Sequence, residues 1–138
     1  MLGAAAAADR AEPDRLDALP AADVVILGEV HDNPQHHTHQ ARAVAGLSPA
    51  ALVFEMLTSE QAARVTPELL SDEAALREAL GWDETGWPDF AMYYPIFAAA
   101  PAARIYGAAV PRAALRGIVT GEAPLPDDSL RFGLDRPL

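Results

Sequence analysis

Three short apolar runs divide the chain and determine its predicted framework. They are rich in aliphatic and β-branched residues, which is typical of strands buried on both faces of a sheet. The runs are DVVILGE (23–29), ALVFEM (51–56) and RIYGAAV (104–110). We therefore predict three neighbouring strands, one in each run.

Segments with helix-start signals lie between these runs. Helices are predicted over residues 33–47, 58–65 and 71–80, with Asn33, Thr58 and Ser71 as their respective N-caps. Gly81 is placed to end the third of these helices, because glycine readily adopts the left-handed conformation that closes a helix. The pattern is thus one of strands alternating with helices.

Such alternation predicts the α/β fold class, in which βαβ units form a parallel sheet flanked by helices. Three strands are few for a sheet of this kind. We therefore expect an incomplete, N-terminal part of a larger α/β domain, or a chain that pairs with another copy. Residues 1–22 are Ala-rich and then polar with prolines. They are predicted to be a loose lead-in, with the domain portion over residues 23–138.

Residues 81–103 hold most of the aromatic side chains. Both Trp, two of the three Tyr and two of the four Phe lie there, and Pro95 disfavours helical geometry at Tyr94, so a break or kink is predicted at that point. The aromatic residues form either a satellite core cluster or one wall of a pocket for a large flat ligand. A buried tyrosine needs a hydrogen-bond partner, and tyrosine oxygen is also a known type of haem ligand.

Charge and composition narrow the function classes. The net charge is −10 and every basic residue is Arg, which argues against nucleic acid or an anionic membrane as the main partner. The chain has no Cys, which excludes disulfides, thiolate zinc sites and covalent haem attachment. The N-terminal Ala run lacks a basic region and is not interpreted as a signal peptide.

Polar residues follow the predicted strands at the points where they end. Glu29 and His31 follow the first strand, Glu55 the second and Arg112 the third. Ligands of open parallel sheets bind at the carboxyl ends of the strands, so these side chains are predicted to share one crevice. Arg112 is either an ion-pair partner of the acids or a clamp on a ligand carboxylate.

All four histidines lie within nine residues of one another. His31 lies between strand and helix, and is either hydrogen-bonded to backbone or serves as a metal ligand, a general base or a donor to an anion. His36 and His39 share one helix face, and His37 points about 100° away from His36. We interpret these three helical histidines as mostly solvated, and the H-E-x-x-H zinc pattern is absent.

Several of these segments together resemble a known family. They are ILGEVHDNPQHHTHQ (26–40), LVFEM (52–56) with Gln61 after it, GWPDFAMYYPIF (86–97) and GAAVPR (107–112). In this order they are similar to the ChaN-like haem-binding proteins of the Tiki superfamily, which are iron-regulated and often lipoproteins. The similarity runs from about residue 23 to the end. The family's proteins are longer than this chain, and no lipobox Cys is present.

The resemblance implies an α/β fold that binds haem non-covalently between two subunits. A Tyr then ligates the iron and a His contacts a propionate. Tyr93 is our choice for the iron ligand, Tyr94 is the reserve, and His31 is the matching histidine. With Glu29, Glu55 and Arg112 from the strand ends, they make up the predicted haem site. The resemblance also implies a homodimer and a periplasmic or cell-envelope location with a membrane-associated transport partner.

A different function class fits part of the same pattern. GEVH (28–31) matches the G-x-x-H motif of the wider superfamily, which includes metal-dependent proteases and resembles erythromycin esterases. Under this alternative the protein is a metal-dependent hydrolase, with Glu29, His31 and Glu55 around a divalent ion. The leading interpretation remains a haem-binding uptake or storage protein that is not an enzyme.

Overall fold

The computed structural model describes residues 13–110, 116–117 and 120–121. The α-helices are α1 (Pro34–Leu47), α2 (Ser59–Ala62), α3 (Glu73–Leu80) and α4 (Phe90–Ala98), and the strands are β1 (Ala51–Phe54) and β2 (Arg104–Gly107). Short 3-10 helices cover Pro13–Ala18, Leu69–Ser71 and Trp82–Glu84. None of the helices within these ranges is both long enough and apolar enough to cross a bilayer.

The two strands form a parallel pair, as the βαβ pattern predicts. Ala51 lies opposite Arg104 and Phe54 opposite Gly107, so the carboxyl ends of both strands meet at the same edge. The helices α2, α3 and α4 connect one strand to the other. The fold is thus a mixed α/β arrangement, consistent with part of an α/β domain.

The strand predicted over residues 23–29 is wrong. The sheet of the described part of the chain contains β1 and β2 only. Val24 and Ile26 are 76% and 90% exposed, and only Leu27 packs against the core. An apolar run indicates that a segment prefers burial, but a strand also needs the backbone of a neighbouring strand for its hydrogen bonds. This segment has no such neighbour within the described residues.

The predicted helix after it is confirmed as α1. The Asn33 side chain accepts a hydrogen bond from the backbone N–H of Gln35, and Pro34 occupies the first turn. The helix ends at Leu47, and the following Ser48 caps it: its backbone is left-handed (φ 45°), and its N–H donates to the carbonyl of Val44. The 3-10 helix Pro13–Ala18, inside the predicted lead-in, packs against α1.

The caps of the next two helices show where local sequence signals suffice. Thr58 and Gln61 form the predicted capping box at the start of α2. The predicted cap of α3 is wrong by one residue, because Asp72 and not Ser71 accepts the hydrogen bond from Ala75. A carboxylate is as good an N-cap as a serine hydroxyl, so sequence alone does not separate the two. Gly81 ends α3 in the left-handed conformation, as predicted.

Of the predicted break or kink at Tyr94, the break is wrong, because α4 continues through Pro95 to Ala98. A proline inside a helix costs about 3 kcal/mol. Burial of the helix face around it offsets this cost, since Tyr93, Ile96 and Phe97 all lie in the core. The aromatic segment is therefore mainly core. Its fully buried aromatic side chains are Trp82, Phe90, Tyr93 and Phe97.

Candidate functional site

A buried carboxylate lies at the centre of the polar residues that the sequence pointed to. The Glu29 side chain is 7% exposed, and its Oε1 atom is 2.7 Å from Nδ1 of His31. The Tyr93 hydroxyl lies 3.2 Å from the same oxygen and 3.2 Å from the His31 carbonyl oxygen. With His37, described below, these residues form what we call the Glu29 cluster: Glu29, His31, His37 and Tyr93.

His31 is the outward-facing member of the Glu29 cluster. Its side chain is 40% exposed, although its Nδ1 atom contacts the buried carboxylate. The half-buried Trp87 packs edge-on against the imidazole, with ring centroids 4.7 Å apart and an angle of 67° between the planes. The ring of His31 is therefore held on one side by a hydrogen bond and on another by an indole.

His37 is buried, so its interpretation as a solvated histidine is wrong. Its side chain is 1% exposed, and its Nε2 atom donates to the carbonyl of His31 at 2.9 Å. A carbonyl only accepts, so Nε2 carries the proton. Nδ1 then faces Glu29 Oε2 at 3.2 Å without hydrogen-bond geometry, and neither atom has a hydrogen-bond partner in the described part of the chain.

Helix periodicity could have found His37. Val44 is seven residues further along α1 and is also buried, so the two side chains share the core face of the helix. His36 is half-buried, and its Nδ1 accepts the backbone N–H of Val30 at 2.8 Å. Two histidines in the first turn of α1 thus fix the loop that carries Glu29 and His31.

Tyr93 is the most deeply buried of the predicted site residues. Its exposure is 0%, and burial is the main cause that raises the pKa of its hydroxyl well above the ordinary value. The charges of Glu29, Glu55 and Asp32 raise this pKa further, as does the hydrogen bond to Glu29. Tyr93 is therefore a neutral phenol over the whole physiological range. Tyr94 points elsewhere, because its hydroxyl donates to the carbonyl of Leu70 at 3.2 Å.

The remaining predicted site residues lie at the edge of the cluster or beyond the described residues. Glu55 directly follows β1, is exposed and acts on Tyr93 through its charge. Arg112 falls outside the described residues, so its predicted place at the end of β2 stays a prediction. Within the described ranges, no group of three or more His, Cys, Asp or Glu side chains is arranged to hold a metal ion.

Comparison of the sequence with models of known protein families identifies the family of this chain. A family model described as "Haem-binding uptake, Tiki superfamily, ChaN" matches residues 15–135. The chain belongs to the ChaN family. The resemblance drawn from the sequence motifs is thereby confirmed. A search of curated proteins and a search of solved structures find no significant match.

Two motifs of this ChaN family chain meet in the Glu29 cluster. GEVHDN (28–33) supplies Glu29 and His31, and the YYPI motif (93–96) supplies Tyr93, 64 residues further along the chain from Glu29. Because α1 packs against α4, it brings His37 to the same place. The motifs that carry the resemblance are thus joined by hydrogen bonds in the folded chain.

The environment of Tyr93 predicts an alkaline limit to stability. Its pKa is raised in the folded chain and is about 10 in an unfolded one. Unfolding therefore releases the phenolic proton above that pH, and the free energy of unfolding falls as pH rises from about 10. Tyr93→Phe should weaken this dependence and, at neutral pH, cost about 1.5–3 kcal/mol for the lost bond to a carboxylate. Urea titrations at a series of pH values measure the pH dependence of the free energy of unfolding and the loss of stability at neutral pH.

The matched control for this experiment is Tyr94→Phe. That hydroxyl donates to the carbonyl of Leu70 and not to Glu29, so its removal leaves Tyr93 and its bond to Glu29 in place and should preserve the alkaline fall in stability that Tyr93 causes. An identical alkaline profile in Tyr93→Phe and in the wild type would show that the buried phenol is not the group responsible.

Proposed function

We propose that the chain binds haem non-covalently beside the Glu29 cluster and serves haem uptake or storage. The observation that carries the proposal is the meeting of the two family motifs at one buried carboxylate, in a chain whose family is named for haem binding. Glu55, directly after the carboxyl end of β1, acts on Tyr93 through its charge, and ligands of α/β sheets commonly bind at that end of a strand. The role is that of a binding protein.

The side chains of the cluster are suited to haem in their donor chemistry. Imidazole and phenol oxygen are both axial ligand types for haem iron, and His31 and Tyr93 supply one of each. Glu29 Oε2 and His37 Nδ1 lie 3.2 Å apart and are buried polar atoms without a hydrogen-bond partner among the residues that the structure describes. When bound, haem would supply an iron that accepts one such donor and a flat apolar face. Trp87, and the exposed Val30, would cover part of that face.

The proposal includes pairing of two copies and a cell-envelope setting, as the resemblance implies. Large apolar side chains that are exposed in the described part of the chain support this pairing. They are Val24, Ile26, Val30, Val53, Tyr106 and Val110, together with Val25. An exposed apolar surface of this kind is typical of a contact with another protein or with a ligand. The transport partner would act on the haem-loaded protein.

A haem titration tests the proposed function. Ferric haem added to the purified chain should give a saturable change in the Soret absorption, and light scattering on the same samples should report the number of chains per complex. Trp87→Ala should weaken binding, because it removes the indole beside His31. His39→Ala is the control, since His39 makes none of the cluster's hydrogen bonds, and it should bind like the wild type. A wild-type titration without a saturable change would reject the function.

A further inference from the structure

Side chains of α1 hold the backbone of the loop that precedes this helix, residues 27–33. Two of them donate hydrogen bonds to carbonyl oxygens of the loop. Gln40 Nε2 donates to the carbonyl of Leu27 at 3.2 Å, and His37 Nε2 donates to the carbonyl of His31 at 2.9 Å. The loop that supplies two members of the Glu29 cluster is therefore held in place by the helix after it.

A third contact between α1 and this loop runs in the opposite direction. The backbone N–H of Val30 donates to Nδ1 of His36 at 2.8 Å. This nitrogen therefore carries a lone pair, and the proton of the neutral ring is on Nε2. In a charged imidazole both ring nitrogens carry protons, and neither accepts a hydrogen bond. A second proton on His36 would thus point at the N–H of Val30, and the hydrogen bond would be lost.

His31 and His37 differ from His36 in this respect. His37 donates through Nε2, and a second proton would go to Nδ1, which faces Glu29 Oε2 at 3.2 Å. Nδ1 of His31 is 2.7 Å from Glu29 Oε1, and positive charge on that ring strengthens its contact with a carboxylate. Among the histidines that contact the loop in the described part of the chain, His36 is therefore the one whose charged form breaks its contact.

The ionisable groups around the first turn of α1 do not compensate for this loss. The helix packs against α4 and the 3-10 helix Pro13–Ala18. The ionisable side chains described on α1, the loop and these two elements are His37, His39, Arg42, Glu29, His31, Asp32, Tyr93, Tyr94, Arg15 and Asp17. Glu29 contacts His31 and His37, and Asp17 pairs with Arg42. Within the described ranges no acid forms an ion pair with His36, so its charged form gains no partner there.

We propose that His36 is a positioning residue of the haem site and that its protonation weakens haem binding in acid. This role rests on the proposed haem-binding function and adds the regulation of that site by pH. Val30 is exposed, adjoins His31 and would cover part of the porphyrin face, so loss of its N–H contact loosens the haem site directly. Histidine side chains change charge between about pH 5 and 8, so haem should be held at neutral pH and released more readily in acid.

A ferric haem titration of the full chain at about pH 7.5 and about pH 5.5, followed by Soret absorption, tests the role of His36. On acidification the wild-type affinity should fall about 2- to 10-fold more than that of His36→Asn, a factor that corresponds to the net contribution of one hydrogen bond. Asn Oδ1 and His Nδ1 are both bonded to Cγ, so this variant keeps an acceptor that does not titrate. His36→Asn should therefore bind like the wild type at the higher pH. His36→Ala lacks the acceptor and should already be about 2- to 10-fold weaker there.

His39→Asn is the matched control, since His39 makes none of the loop contacts, and it should keep the wild-type pH dependence. The backbone amide resonance of Val30 gives a second measurement, in the haem-free chain. It should shift with pH in the wild type and much less in His36→Asn, because only the wild type loses the contact. Circular dichroism at both pH values checks that each variant is folded.

The outcomes separate the role of His36 from the proposed function. An equal loss of affinity on acidification in the wild type and in His36→Asn overturns the role and leaves haem binding intact. Binding of His36→Asn as weak as that of His36→Ala at the higher pH overturns it too, because the acceptor then has no effect. A Val30 amide that shifts equally in both chains does the same. Absence of a saturable haem spectrum in the wild type rejects the proposed function, and the role of His36 in haem binding falls with it.

Discussion

Replacing Phe97 by alanine is expected to destabilise the chain by about 3–5 kcal/mol, the usual cost of truncating a buried phenylalanine. Phe97 is fully buried and stacks on Phe54 of β1, with ring centroids 4.0 Å apart and nearly parallel planes. It also contacts Phe90 within α4. The substitution would therefore leave a cavity between the helix and the sheet. Urea denaturation followed by circular dichroism measures the change in the free energy of unfolding.

Val53→Ala is the matched control for this truncation. Val53 lies in β1 beside Phe54 but is 67% exposed, on the opposite face of the strand. Its truncation is expected to change stability by about 0.5 kcal/mol or less, as for most exposed positions. Equal effects of the two substitutions would mean that the stacked rings are not the junction between helix and sheet.

The parts of the fold that sequence predicts well are those decided by local chemistry. Thr58 with Gln61, Asn33 with Pro34, and the left-handed Gly81 each act within one helical turn, and the structure confirms them. The parallel pairing of β1 with β2 also followed from the alternation of strands and helices. These signals need no knowledge of distant contacts.

The predictions that are wrong depend on tertiary context. An apolar run at residues 23–29 shows a preference for burial but not the presence of a pairing partner, and the run is mostly exposed. The helix-breaking tendency of Pro95 is real but is outweighed by the burial of its neighbours. In both cases a local preference predicted the wrong structure, because the outcome depended on contacts with segments far apart in sequence. Residues 23–29 lack a pairing strand among the described residues, and α4 is held by its packing in the core.

The candidate site, like the fold, could be predicted from the sequence only in part. Glu29 and His31 were selected as residues at the end of a strand, but residues 23–29 form no strand, and the two side chains meet because they are two residues apart in one loop. The sequence did not reveal that Tyr93 would face inward, because the direction of a side chain on α4 depends on how that helix packs. His37 was missed because the three helical histidines were compared with one another and not with the apolar positions of α1, such as Val44.

Gly107→Ala is expected to destabilise the chain by about 1–3 kcal/mol or more, the usual range for overpacking a close contact. Gly107 is the last residue of β2, and a Cβ atom there would overlap the backbone carbonyl oxygens of Leu57 and Thr58. Those backbone atoms cannot move away easily. Ala108 and Ala109 donate hydrogen bonds to Phe54 and Leu57 at 2.9 and 2.8 Å, and they tie the loop after β1 to the end of β2.

Gly28→Ala provides the comparison for this glycine, since a Cβ atom at position 28 would meet no other heavy atom within 4 Å. Alanine restricts the unfolded chain more than glycine does, so this control should be neutral or stabilise by up to about 1 kcal/mol. Restricting the unfolded chain also stabilises the Gly107→Ala variant, but the steric cost of the overlap with two carbonyl oxygens is larger than this gain. Thermal and urea unfolding of both variants decides the matter. If Gly107→Ala unfolds at the same urea concentration as Gly28→Ala, the close approach of the loop to β2 does not exist in solution.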